Sequence, residues 1–171
     1  MYATHLFFHE NDYLHLDPNV LTINECEGGA GVFQVTEKDI TNINELPMTK
    51  EKKYDWTKDH FGQPVYLTVS SQLELEALAC SLGPVYTTNK SFRSEHSTTN
   101  KHLSEFEHLE IEDAFITLDE LMGVGEEYIR YVGKYLLDNC AGDINNLGKF
   151  VSKGLHERIE KISTCEFKRI K

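Results

Sequence analysis

"PVYTTNKSFRSEHSTTNKHLSEFEHLEIEDAFI", residues 84–116, decides the fold. Its two flanks, "PVYTTNKSFRSE" and "SEFEHLEIEDAFI", are rich in β-branched and aromatic residues and alternate in polarity, as half-buried strands do. The polar segment "HSTTNKHL" separates them. An antiparallel hairpin with a long polar tip is the economical topology.

Side chains at i and i+2 share one face of a strand, so Arg93 and Glu95 point one way while Phe92 and Ser94 point the other. In the second flank, Phe106, His108, Glu110 and Glu112 share a face, with Glu105 opposite. If the two faces coincide across the hairpin, Phe106 can stack on an aromatic ring beside Arg93. The guanidinium fork suits a phosphate or carboxylate, and a glutamate can accept from an amine. Such a face could hold a nucleotide or a zwitterion. Equally, Arg93 and Glu95 could be an exposed charge ladder of little energetic weight, with Phe106 in the core.

Upstream of the hairpin, "VYLTVS" (65–70) has strand composition, and "SSQLELEALACSLG" (70–83) has helical composition with a stop at Gly83. Residues 36–64 are polar, broken by "NELP" and "FGQP", and form a surface loop with room for a helical turn. From Tyr13 to Val35 the chain runs in short extended pieces, punctuated by "DPN" and by "EGGAG" at 27–31. That glycine-rich piece is either a plain turn or a turn whose Glu27 meets a ligand.

Downstream, Thr117 and Glu120 form a capping box ahead of Leu121, Tyr128, Tyr131, Val132, Tyr135 and Leu136 at helical spacing. "DINNLGKFVSKGLHERIEKI" (143–162) repeats the pattern and predicts a second amphipathic helix. Strands followed by helices predict an α+β domain, an antiparallel sheet flanked by helices.

The composition sets limits on function. The chain has 171 residues, 40% hydrophobic and 26% charged, as expected of one ordinary globular domain. A formal charge of −11 argues against a broad grip on nucleic acid, which relies on clustered cations. Cys26, Cys80, Cys140 and Cys165 lie far apart, without zinc-ligand spacing. The eight histidines also lack ligand spacing, so no metal site of protein ligands is expected. No apolar run approaches the ~18 residues needed to cross a bilayer, and the N-terminus lacks the regions of a secretion signal. Reduced thiols and a cytoplasmic location follow as expectations.

"NECEGGAGVFQVT", "FGQPVYLTVSSQLELEALACSLGPVYTTNKSFRSE" and "HLSEFEHLEIEDAF" together resemble the catalytic domain of class II aminoacyl-tRNA synthetases, of the asparaginyl and aspartyl subgroup. The resemblance covers nearly the whole chain. It places a motif 1 strand at about 13–25, a motif 2 hairpin at about 85–116 and a helical segment at 117–162. The phenylalanine-arginine-x-glutamate opening of motif 2 is matched by Phe92, Arg93, Ser94 and Glu95.

By resemblance, Arg93 is the catalytic residue, holding the α-phosphate of ATP and the amino-acid carboxylate. Glu95, Lys101, His102 and Leu103 would contact ATP, and Phe106 would stack on adenine. Glu27, Ser71 and Gln72, with Arg93, would line the amino-acid pocket. The reaction implied is adenylation by ATP, carried with Mg²⁺, and then transfer to tRNA. "YLTVSSQL" is closer to the asparaginyl pattern LTVSGQL than to the aspartyl one, so asparagine and tRNA(Asn) are the substrates implied. The resemblance also implies a homodimer through the motif 1 region.

Three departures stand out. Lys101 occupies the place of an arginine, and "EGGAGVF" stands where many asparaginyl enzymes have EGAGEMF, so Gly31 replaces a glutamate. Nothing matches motif 3 or the anticodon-binding domain, which points to a fragment, a truncated product or a degenerate paralogue. A non-catalytic interaction module and an aspartate-specific relative are the other functions weighed.

Overall fold

The computed structural model describes residues 1–24, 31–95, 99 and 101–170. In chain order the elements are α1 (Tyr2–Glu10), β1 (Leu14–His15), β2 (Leu21–Thr22), β3 (Phe33–Gln34), β4 (Tyr66–Leu67), α2 (Gln72–Leu82), β5 (Val85–Phe92), β6 (Glu105–Glu112), α3 (Leu118–Asn139), α4 (Ala141–Phe150) and α5 (Leu155–Thr164). They fall into two units: Met1–His15 with Asp113–Lys171, and Leu16–Glu112.

The second unit is built on the expected hairpin. β5 and β6 pair antiparallel from Val85↔Glu112 to Phe92↔Glu105. The Arg93 N–H donates to the Ser104 carbonyl at 3.0 Å, extending the ladder one step beyond β5. Against the hairpin lies α2, whose Leu75 and Ala79 join Val85 in a buried cluster flanked by Leu16. The spacing of Leu75 and Ala79, four residues apart, puts both on one helical face. Full burial of a leucine side chain is worth about 1.5–3 kcal/mol. Leu73, Leu78 and Leu82 are exposed. Gly83 ends the helix as expected, at φ +91° with its N–H on the Ala79 carbonyl.

"VYLTVS" supplies a shorter strand than its composition predicts. β4 pairs with β2 through Leu21↔Leu67 and with β3 through Phe33↔Leu67. The Thr68 hydroxyl then donates to the Ser70 carbonyl at 2.6 Å. Such local side-chain bonds compete with the ladder and turn the chain toward α2.

The loop at 36–64 carries two short helical turns, Ile43–Glu45 and Trp56–Lys58. Asp59, 9% exposed, pins it. Its carboxylate accepts from the Tyr54 hydroxyl at 2.9 Å and from the backbone N–H groups of Glu37 and His60. Burial pushes this carboxyl up, but bonds from Thr36, His60, Tyr54 and Glu37 outweigh it and hold the group at about 2.

The first unit is helical. The capping box is present as read: Thr117 Oγ1 accepts from the Glu120 N–H, and the Glu120 carboxylate accepts from the Thr117 N–H. The 22-residue α3 sets Tyr128 and Tyr131 against Phe7 of α1, and Tyr128 stacks on Phe8 with centroids 5.4 Å apart. The Thr4 and Tyr128 hydroxyls share a hydrogen bond at 3.0 Å. α1 itself was not expected from sequence. Beyond α3, the segment expected to hold a single helix forms two, because the chain turns at Gly154, φ +73°, between α4 and α5. The 13–25 segment shows β1 and β2, two residues each, where one strand was expected.

Candidate functional site

The hairpin register settles which residues share a face. Ser91 lies opposite Phe106, Asn89 opposite His108 and Thr87 opposite Glu110. Arg93, two residues beyond Ser91, therefore falls on the Phe106 face, and its guanidinium carbon sits 5.3 Å from the Phe106 ring centroid. The charge ladder weighed as an alternative does exist, but on the opposite face and with another cation. There Lys90 lies between Glu107 at 2.7 Å and Glu105 at 3.4 Å. Its ammonium is pushed up, first by the bond to Glu107.

A cleft of roughly 350 Å³ opens on the Arg93 face, lined by Arg93, Glu95, Lys101, His102, Leu103, Ser104 and Phe106. Six of the seven were expected from sequence, and Ser104 is the addition. Ligand sites commonly enclose about 300–1,000 Å³. Arg93 Nε is buried without a hydrogen-bond partner among the described residues. A buried charged donor in that condition costs free energy that an anionic ligand would recover. Glu95, Lys101, His102 and Leu103 are exposed at the rim. His102 is steadied by Thr99, whose hydroxyl bonds its Nδ1.

Gly31 and Ser94 form a feature the sequence did not announce. The Ser94 N–H donates to the Gly31 carbonyl at 2.7 Å, and Ser94 Oγ donates to the Val32 carbonyl at 3.2 Å. A Cβ at Gly31 would lie 2.6 Å from Ser94 Oγ and 3.0 Å from the Ser94 carbonyl oxygen. The glycine thus lets the residue between Arg93 and Glu95 be gripped by the 31–32 backbone, a place where a glutamate side chain would not fit without a shift. Glu27 lies outside the described residues.

Ser71 and Gln72 start α2 and are not among the residues lining the cleft. Ser71 is 1% exposed, and its hydroxyl accepts from Asn89 Nδ2 at 3.5 Å. Gln72 Nε2 donates to Glu76 Oε1 at 2.8 Å. Asn89 also donates to the Pro18 carbonyl at 3.0 Å, fixing the "DPN" turn to β5.

All 171 residues match the family described as tRNA synthetases class II (D, K and N). The chain is 42% identical to the asparagine–tRNA ligase of Protochlamydia amoebophila over 98% of its own length and 35% of that protein. It is 40% identical to the chloroplastic/mitochondrial asparagine–tRNA ligase of Arabidopsis thaliana, over 97% of this chain and 30% of that one. The chain thus spans about a third of the length of the curated relatives it matches. Among solved structures, it resembles the asparaginyl-tRNA synthetase from Pyrococcus horikoshii complexed with asparaginyl-adenylate. The TM-score is 0.71 and the identity 26%, over 96% of this chain and 31% of that one. The asparaginyl-tRNA synthetase of Entamoeba histolytica gives a TM-score of 0.67 at 25% identity, over 88% of this chain and 28% of that one. The register that brings Arg93 onto Phe106 and the family match along the whole length lead to one conclusion: the chain belongs to the class II tRNA synthetases (D, K and N).

Proposed function

We propose that this chain carries the nucleotide- and amino-acid-gripping part of an asparagine–tRNA ligase, an enzyme that activates asparagine with ATP and transfers it to tRNA(Asn) in the cytoplasm. The observation that carries the proposal is the Arg93 guanidinium over the Phe106 ring, with Nε buried and unpaired among the described residues, at the edge of a cleft of roughly 350 Å³. Adenine stacks on Phe106, and Arg93 neutralises charge on the α-phosphate while orienting the asparagine carboxylate. Glu95, Lys101, His102 and Leu103 close over the nucleotide. Glu27 and Gln72 recognise the amino acid, and Ser71 shapes that pocket from within.

In the first step an asparagine carboxylate oxygen attacks the α-phosphorus, and pyrophosphate leaves with its Mg²⁺, which enters as part of the nucleotide substrate. In the second, a terminal ribose hydroxyl of tRNA attacks the adenylate carbonyl and AMP leaves. Neither step needs a protein nucleophile. Positioning and charge neutralisation supply the rate, and removing one such charge-stabilising group typically costs about 10²–10³-fold. With a formal charge of −11, the chain offers tRNA only local contacts. Leu21 and Ile23, both exposed, suit the homodimer contact expected around 13–25.

The test is asparagine-dependent exchange of pyrophosphate into ATP, measured in a protein of the relatives' full length. Arg93→Ala should lower the exchange by about 10²-fold or more, with the fold retained by circular dichroism. Exchange that survives Arg93→Ala, or that runs equally well on aspartate, would overturn the assignment.

A further inference from the structure

The head of α2 is capped from a distance. Its N-cap residue, Ser71, makes no capping bond with its own side chain. Instead the Ser71 N–H donates to both Glu110 carboxylate oxygens, at 3.0 and 3.2 Å, and the Ser70 hydroxyl donates to Glu110 Oε1. Ser70 Oγ in turn accepts from the Gln72 N–H at 3.1 Å. A carboxylate at this end of a helix also meets the positive pole of its dipole. Glu110 is 9% exposed, so its negative charge is compensated inside the protein by these donors.

Glu110 belongs to β6, on the same face as Phe106. Between them stands His108, whose ring is 5.5 Å from that of Phe106 and whose Nδ1 lies 3.0 Å from Ser91 Oγ and 3.5 Å from Glu110 Oε1. One polar chain therefore runs from the face that carries Phe106 to the backbone of Gln72. Without Glu110, the Ser71 N–H would lose its acceptor and the Ser70 hydroxyl would be free to rotate away from Gln72.

We propose that Glu110 is a positioning residue: by tying the head of α2 to β6, it sets where Gln72 stands relative to the nucleotide-binding face, and so governs the grip on the amino-acid substrate. This rests on the function proposed above. Glu110 does not itself touch substrate in this account, and its loss should separate the two ligands.

The experiment is calorimetric titration of the full chain with MgATP and with asparagine, for wild type, E110A, E110Q and S70A. E110A should weaken asparagine binding by about tenfold or more while changing MgATP affinity by less than about twofold, since the hydrogen bonds that Glu110 accepts from Ser70 and Ser71 are all on the α2 side and the 3.5 Å approach to His108 is the longer contact. E110Q should recover most of the loss, because its amide oxygen can accept the Ser71 N–H and its amide N–H can donate to Ser70 Oγ. Should E110A fail to fold, S70A carries the test. It removes the acceptor of the Gln72 N–H, and should weaken asparagine binding by about threefold and speed amide exchange at Gln72. Unchanged asparagine affinity in E110A or S70A, or equal weakening of both ligands, would overturn the role of Glu110 with the proposed function intact. A wild-type chain that binds neither ligand would overturn the function itself, and with it this role.

Discussion

The hairpin unit and the helical unit bury different kinds of group. In the unit spanning Leu16–Glu112, four of the buried polar residues form a connected set: Thr68, Ser71, Ser91 and Glu110 are each 9% exposed or less. In the helical unit, the buried residues of α1 are Ala3, Thr4, Phe7 and Phe8, and the contacts to α3 are mainly aromatic, joined by the hydrogen bond between the Thr4 and Tyr128 hydroxyls. Aromatic pairs keep preferred ring geometries but tolerate a spread of roughly 2 Å in centroid separation, whereas a hydrogen bond holds its donor–acceptor distance to a few tenths of an ångström. The hairpin unit uses buried polar groups to place side chains, whereas α1 and α3 are held mainly by aromatic packing.

That contrast can be broken at Phe8. It is 1% exposed, touching Phe7, Tyr13 and Tyr128. Phe8→Ala should destabilise the helical unit by about 3–5 kcal/mol, read from the midpoint of denaturant unfolding. A loss below about 1 kcal/mol would mean that the aromatic cluster is not the core of this unit.

Two glycines sharpen the same comparison with a smaller effect. Gly31 approaches both the hydroxyl and the carbonyl of Ser94, with a built Cβ 2.6 and 3.0 Å away, whereas Gly133, in α3, approaches the Ser163 hydroxyl alone, at 2.3 Å from Oγ and 3.5 Å from the next nearest atom. A hydroxyl can rotate aside at the cost of its bond to the Ile159 carbonyl, but a backbone carbonyl cannot. Gly31→Ala should cost about 1–3 kcal/mol, and Gly133→Ala less than about 1 kcal/mol. Adding Ser163→Ala to Gly133→Ala should relieve the contact, while adding Ser94→Ala to Gly31→Ala should relieve only part of it. Thermal unfolding of the five proteins checks the order, and a reversed order would contradict the distinction drawn between the two units.

The legible parts of the sequence were those where local chemistry and long-range packing agree. The capping box at Thr117 and Glu120 is a four-residue device and appeared as read. The hairpin faces followed from side-chain alternation alone, and the register bore out the shared face of Arg93 and Phe106. α1 escaped notice because it has no side-chain cap and no acidic first turn; its helicity rests on burying Phe7 and Phe8 against residues more than a hundred positions away. The break before α5 had a visible signal in Gly154, outweighed by the apolar spacing on either side. The Gly31 approach and the Glu110 cap were illegible for a different reason: each joins segments about 40 to 60 residues apart in sequence, and at least one partner in each is a backbone group, which carries no residue identity.

The most direct test of the central claim, that the Arg93 and Phe106 face of the hairpin is a nucleotide site, is calorimetry of this chain with MgATP, repeated on Phe106→Ala. Saturable binding by the wild-type chain is expected, weakened by Phe106→Ala by about tenfold or more, as follows when an aromatic stacking partner worth about 1–3 kcal/mol is removed. A folded chain that binds no MgATP, or binds it equally well without the Phe106 ring, would contradict that claim.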